Sequence, residues 1–216
     1  MFYDLKKSNQ LTLAIHSTDK SFGFAYRENK NDLSDKFFVK KIEKDLCNNL
    51  IVDFTKFIKK ENLKNINKIS VSTGPANFNA SRQIIVLART LSQQINCSID
   101  SFSSFELMAK RIAKKNNIYS HKKVFWIFKE LKRKGYIAGQ YEVYISEKTN
   151  PILNIKEKLI PKIFDELKNK ECSYKAEYNG KEDLKELLNL SDKNSHDLNF
   201  NSWDKVLPLY PISPIN

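Results

Sequence analysis

The chain has 216 residues, 41% of them hydrophobic, and a formal charge of +12 at pH 7. That length suits one large domain or two small lobes with a real core, and no apolar run approaches the ~20 residues that span a bilayer. The opening stretch Met1-Phe2-Tyr3-Asp4-Leu5-Lys6-Lys7 is too polar for a secretory leader, so a cytoplasmic location is expected. Cys47, Cys97 and Cys172 are odd in number, far apart and without CxxC or CxxH spacing. That pattern points to buried reduced thiols rather than a disulfide framework or a zinc site.

In chain order, Leu11–Ile15 is a short apolar run with the character of a buried strand. Ser21–Tyr26 alternates, placing Phe22, Phe24 and Tyr26 on one side. Asp35–Lys41 supplies a third strand through Phe37, Phe38 and Val39. Asp45 is a candidate cap for a helix from Leu46 to Lys60, where Leu50, Phe54, Phe57 and Ile58 recur at helical spacing. Ile69–Thr73 is the next strand. It runs into the loop Gly74-Pro75-Ala76-Asn77-Phe78-Asn79-Ala80-Ser81-Arg82 and a helix opening at Asn79 and ending at Ile95.

A strand, a tight Gly-Pro turn and a helix start gather backbone N–H groups where an anion can sit. Ala76 and Ala80 stand at two positions where glycine would suit a phosphate cradle, so the loop is either a working nucleotide site or a retired one. Cys97–Phe102 is a strand, and Ser103 or Ser104 caps a helix carrying Phe105, Leu107, Met108 and Ile112. The order β-β-β-α-β-α-β-α suits the ribonuclease-H-like half of an actin-type fold.

Ten basic residues follow between positions 110 and 134: Lys110, Arg111, Lys114, Lys115, Lys122, Lys123, Lys129, Lys132, Arg133 and Lys134, against the single acid Glu130. Such a block favours a polyanion such as RNA. The chain is also rich in Lys, Asn and Ile, as a coding bias alone would make it. Val124–Phe128 and Tyr136–Ser146 restart a strand pattern, which begins a second lobe. Residues 1–108 are assigned to the first lobe and 109–216 to a smaller, divergent second one. Lys156–Lys170 reads as helix, with Pro161 in its first turn or breaking it. Tyr174–Tyr178 reads as strand, Lys181–Leu190 as a short helix, Ser191–Asn201 as loop, and the proline-rich tail from Val206 as extended.

Three pieces carry a resemblance: Leu13-Ala14-Ile15-His16-Ser17-Thr18, the Gly74–Arg82 loop, and Pro208-Leu209-Tyr210. They are similar to the LAIDTS, GPGSFTGLR and PxYLR segments of the TsaB (YeaZ) family, and Phe125-Trp126-Ile127-Phe128-Lys129 with Tyr136 resembles the family's later strand and tyrosine. The match covers residues 11–110 well and is thin past Tyr136. The resemblance implies a two-lobed α/β protein of the actin, sugar-kinase and Hsp70 superfamily. It also implies a non-catalytic subunit in forming threonylcarbamoyladenosine on tRNA. Such a subunit pairs with the catalytic paralogue TsaD, is joined by the ATPase TsaE, reaches tRNA through the complex, and can form a homodimer without its partner. No cofactor and no metal of its own is expected.

Against the family pattern, His16 stands at an aspartate position and Lys129 at a second one, where carboxylates would orient hydrated magnesium. Either the two bases touch an anion directly, or these positions have drifted after release from catalysis. Asn79 is expected to cap the helix, Phe78 to plug the turn from beneath, Gly74 and Pro75 to shape it, and Arg82 to brace it, meet a partner carboxylate or simply lie on the surface.

The helix to Ile95 carries two stripes: Ala80, Ile84, Leu87, Leu91 and Ile95, and Ser81, Ile85, Ala88 and Ser92. One stripe packs on the sheet and the second needs another cover, either a partner helix pair or the second lobe or neighbouring helix of the same chain. Candidate partner-binding residues on the two helices are Cys47, Leu50, Ile51, Phe54, Ser81, Arg82, Ile85 and Arg89. Candidate tRNA contacts are Lys122, Lys123, Lys132, Arg133 and Lys134. The alternatives are a stand-alone basic RNA-binding protein of the same fold and a surviving nucleotide enzyme. No GxSxG, HExxH or P-loop is present.

Overall fold

The structure is a computed structural model and describes residues 10–28, 35–42, 46–131, 135–145, 153–167, 171–193 and 202–209, with side chains in the first helix from residue 49 onward. Two mixed sheets carry the chain. The first has the order β3-β2-β1-β4-β5, from Leu11–Ser17 (β1), Ser21–Glu28 (β2), Lys36–Lys41 (β3), Ile66–Ser72 (β4) and Ser98–Phe102 (β5). β1 pairs antiparallel with β2 and parallel with β4, as β4 does with β5.

β1 is central and covered on both faces, which is why all of it but Thr12 is buried, polar His16 and Ser17 included. Leu11, Leu13 and Ile15 point into one core with Leu50, Phe54 and Ile58 of helix α1 (Leu46–Phe57) and its exit. That core also takes Ile84, Ile85 and Leu87 of helix α3 (Phe78–Ile95). The Phe24 ring meets Phe54 edge-on at 5.3 Å and stacks on Phe38 at 5.8 Å, a geometry that adds to simple burial. A short helix α2 (Lys60–Leu63) leads from α1 to β4.

The opposite face of β1 and β2 is lined by small residues, and α5 (Gly180–Lys193) lies on it. Ala14 and Ala25 pack against Leu184, Leu187 and Leu188. At Gly23 any Cβ would fall 2.4 Å from the Phe38 carbonyl oxygen and 3.0 Å from Leu184, so only glycine lets β2, β3 and α5 come this close.

The second sheet has the order β8-β7-β6-β9, from Val124–Leu131 (β6), Gly135–Ile145 (β7), Leu153–Phe164 (β8) and Ser173–Lys175 (β9). Helix α4 (Ser104–Lys115) covers one face of it through Phe105, Met108, Ala109 and Ile112. Ser103 caps α4, accepting from the Glu106 N–H at 3.1 Å. The first eight elements follow the expected β-β-β-α-β-α-β-α order, apart from the added α2. Position 108 falls inside α4, and α5 from the second half of the chain packs on the first sheet.

One expectation fails outright. Residues 156–164 form strand rather than helix, pairing along β7 from Ile145↔Leu153 to Tyr136↔Phe164. Pro161 is tolerated because β8 is an edge strand and the register shifts opposite it. Its ring sits where a Cβ on Gly139 would reach, at 3.2 Å.

Candidate functional site

The Gly-Pro loop joins β4 to α3 and is held from several sides. Gly74 has φ +102°, a region that glycine enters without penalty. Its carbonyl accepts from the Ser104 N–H at 2.6 Å, and the Pro75 carbonyl accepts from the Tyr178 hydroxyl at 2.6 Å. Thr73 receives the Leu209 N–H at 2.8 Å, which ties the tail to the loop.

The helix cap is Asn77, not Asn79: the Asn77 Oδ1 accepts from the Ala80 N–H at 3.1 Å. Asn79 is exposed on the first turn. Phe78 is likewise exposed rather than tucked beneath the turn, and the Arg82 guanidinium lies over its ring at 5.5 Å. The chain's own carboxamide therefore takes a first-turn N–H that an anion would otherwise use.

Behind the loop, the two basic-for-acidic positions face carboxylates of the same chain. His16 is 1% exposed on the α5 side of β1, with Nε2 3.5 Å from Asp183 Oδ2. Asp183 is fully buried and accepts from Arg111 at 2.8 Å and from the Asn179 N–H at 2.8 Å. Lys129 reaches across from β6 to Asp19 in the β1–β2 turn at 2.6 Å, and its ammonium lies 5.7 Å from the Tyr178 ring centre. Burial, then Asp19, then Asp183, push the Tyr178 phenol well above its ordinary value, so it stays a donor to Pro75. Ser81 completes the floor, 3.4 Å from Ser17 Oγ.

Lys129 is paired within the chain and ties β6 to the β1–β2 turn. The two ring nitrogens of buried His16, by contrast, make no hydrogen bond among the described residues, and Nε2 only approaches Asp183. Drift of both positions away from a metal-binding role is compatible with this arrangement. A hydrated magnesium ion does not fit, because a buried imidazole and a paired ammonium stand where carboxylates would have to be. Among the described residues no three His, Cys, Asp or Glu side chains gather as a metal set.

The helical face divides differently from the stripes read in the sequence. Leu50, Phe54, Ser81 and Ile85 are buried in the monomer, as are Ala88 and Ser92. The second α3 stripe thus lies inside, closed off by the sheet and Val206 of the tail. What faces out is a third stripe, Arg82, Val86 and Thr90, beside Ile51 and Val52 of α1. Val86 is 63% exposed, Ile51 51% and Val52 46%.

These residues flank an apolar groove of about 420 Å3 lined by Leu50, Ile51, Asn79, Arg82, Gln83, Val86, Leu87 and Thr90. Val86 and Val52 were missed in the sequence. Arg89 is half-buried, with its guanidinium 5.4 Å from the Trp203 ring centre. The Cys47 side chain lies outside the described residues.

The basic block is less one-sided in space than in sequence. Arg111 is held by Asp183, Lys115 by Glu177 at 2.6 Å and Lys129 by Asp19. Lys110 and Lys114 line a groove with Glu182 and Glu186 of α5. Lys122 and Lys123 are exposed in the turn before β6. Lys132, Arg133 and Lys134 lie outside the described residues. Cys97 and Cys172 are free and half-buried, and burial pushes the Cys97 thiol up to about 11.

No family model and no curated protein matches the chain. Among solved structures it is similar to a Pseudomonas aeruginosa protein described as uncharacterised, with similarity to the peptidase YeaZ. The TM-score is 0.66 at 12% identity, covering 94% of this chain and 100% of that one. It is also similar to YeaZ from Pseudomonas aeruginosa, with a TM-score of 0.62 at 12% identity over 93% and 99% of the two chains. The chain is an α/β protein with two mixed sheets, and its fold is that of the YeaZ structures.

Proposed function

We propose that this chain is a non-catalytic subunit that docks a second actin-like protein through the outer face of α1 and α3. The partner in this reading is the catalytic paralogue TsaD of the tRNA threonylcarbamoyladenosine system, with the ATPase TsaE joining and tRNA reached through the assembly. One observation carries the reading: Ile51 and Val86 stand out into solvent along a 420 Å3 apolar groove, with exposed Val52 next to Ile51 on α1, a surface that invites cover by another protein. Two packed helices offering such a groove suit helix-on-helix docking.

The non-catalytic half of the reading is supported by the self-capped loop, where Asn77 takes a first-turn N–H, and by Lys129, which is paired with Asp19. The peptidase likeness carried in one neighbour's description has no support from Cys97, because a thiol held near 11 is not a nucleophile at neutral pH. Co-expression with a TsaD from the same source, followed by size exclusion, tests the pairing. Co-elution that Val86→Glu abolishes is the expected result. Two folded proteins eluting apart would reject it.

A further inference from the structure

The face of the second sheet turned away from α4 carries four aromatic side chains. Trp126 and Phe128 project from β6, Tyr136 from β7 and Phe164 from β8. The register puts all four on one side: Phe128 opposite Ala138, Ala138 opposite Lys162, Trp126 opposite Gln140, and Tyr136 opposite Phe164. Trp126 meets Phe164 edge-on at 5.6 Å and Phe128 meets Tyr136 edge-on at 5.7 Å. Ala138 sits between the two pairs and is 1% exposed although it points outward, so the rings roof it. The rings themselves are half-buried, and α4 covers the opposite face of the sheet.

Charge complements the rings. Lys175 of β9 and Lys162 of β8, both exposed, stand at the two ends of the Phe128–Ala138 row. Of the acids on the face, Glu142 lies 3.6 Å from Lys158, and Glu130 sits at the Tyr136 end. Within a chain of net charge +12, aromatic rings on a sheet between lysines make a surface on which unpaired bases stack while the ammonium groups meet phosphates. A duplex hides its base faces and gains only the charge term.

We propose that this face binds single-stranded nucleic acid by stacking bases on Trp126 and Phe128, with Lys162 and Lys175 taking the backbone. The site lies on the other lobe from the α1–α3 groove, so it stands or falls independently of the docking reading.

The test uses fluorescein-labelled 12-nucleotide oligouridylate and oligoadenylate with the full chain, and a 12-base-pair RNA duplex and oligoglutamate as competitors. Trp126→Ala and Phe128→Ala should each weaken single-strand binding about five- to hundredfold, Phe128→Tyr should preserve it, and Lys122→Ala with Lys123→Ala should leave most of it. The chain has two tryptophans. Trp203→Phe therefore makes Trp126 the sole reporter, and oligonucleotide should quench its emission even if the alanine variants fold poorly. Trp126 emission unmoved by bound oligonucleotide would overturn the proposal. So would equal displacement by duplex or oligoglutamate, or unchanged affinity in a natively melting Trp126→Ala.

Discussion

Glu106 gives the sharpest energetic prediction. It lies three residues after the α4 cap Ser103, whose hydroxyl donates to Glu157 at 2.7 Å, while the Tyr141 hydroxyl donates to the same Glu157 oxygen at 3.0 Å. Glu157 thus receives the donors, and Glu106 is left half-buried near it. Burial first, then Glu157 and Glu186, push the Glu106 carboxyl from 4.5 up to about 8. A raised carboxyl is protonated in the fold where the unfolded chain is already ionised. Its stability contribution is complete below the unfolded value and is lost as pH rises through about 8.

At roughly 1.4 kcal/mol per unit, the wild type should lose about 3 kcal/mol from this group between pH 5 and pH 8. Glu106→Gln mimics the neutral acid. In urea denaturation it should match the wild type at pH 5 and exceed it by about 3 kcal/mol at pH 8. The +12 background is common to both proteins and cancels in the difference. Parallel stability curves for the two proteins across that range would show that Glu106 ionises normally and refute the argument.

Two further substitutions test how the loop and cleft are held. Asp183→Ala leaves the Arg111 guanidinium and the buried His16 without their shared carboxylate, and should cost about 3–5 kcal/mol. Asp183→Asn, which keeps an acceptor, should cost visibly less by the same denaturant midpoint. Asn77→Ala removes the α3 cap and should cost about 0.5–2 kcal/mol, whereas Asn79→Ala should be near neutral in thermal melts. Equal losses at the two asparagines would put the cap in the wrong place.

The first lobe was legible because its strands are buried runs separated by amphipathic helices, so local pattern and tertiary role agree. β8 was misread because Lys156, Glu157, Lys158 and Leu159 suit a helix at short range, and only pairing with β7 decides for strand. The cap moved by two residues because two asparagines flank Phe78, and a helix start is the least certain boundary in sequence.

The fate of His16 and Lys129 was not legible at all. Their carboxylates come from Asp183 and Asp19, 167 and 110 residues away, and no local pattern announces them. The helical face was half legible. An unmet apolar surface was expected on α1 and α3 along Ser81, Ile85, Ala88 and Ser92, which are buried, whereas exposed Val86, flanked on its stripe by Arg82 and Thr90, reads as polar surface until the packing of Ile85 and Ser81 is seen.

The central claim is that the face carrying Ile51, Val52 and Val86 is covered by another protein. Size exclusion of the chain co-expressed with TsaD from the same source, as wild type and as Val86→Glu, measures this directly. The account predicts one co-eluting peak for the wild type and two separate peaks for a variant whose own melting is unchanged, because Val86 touches solvent and not the core. Co-elution that survives Val86→Glu together with Ile51→Glu would contradict it.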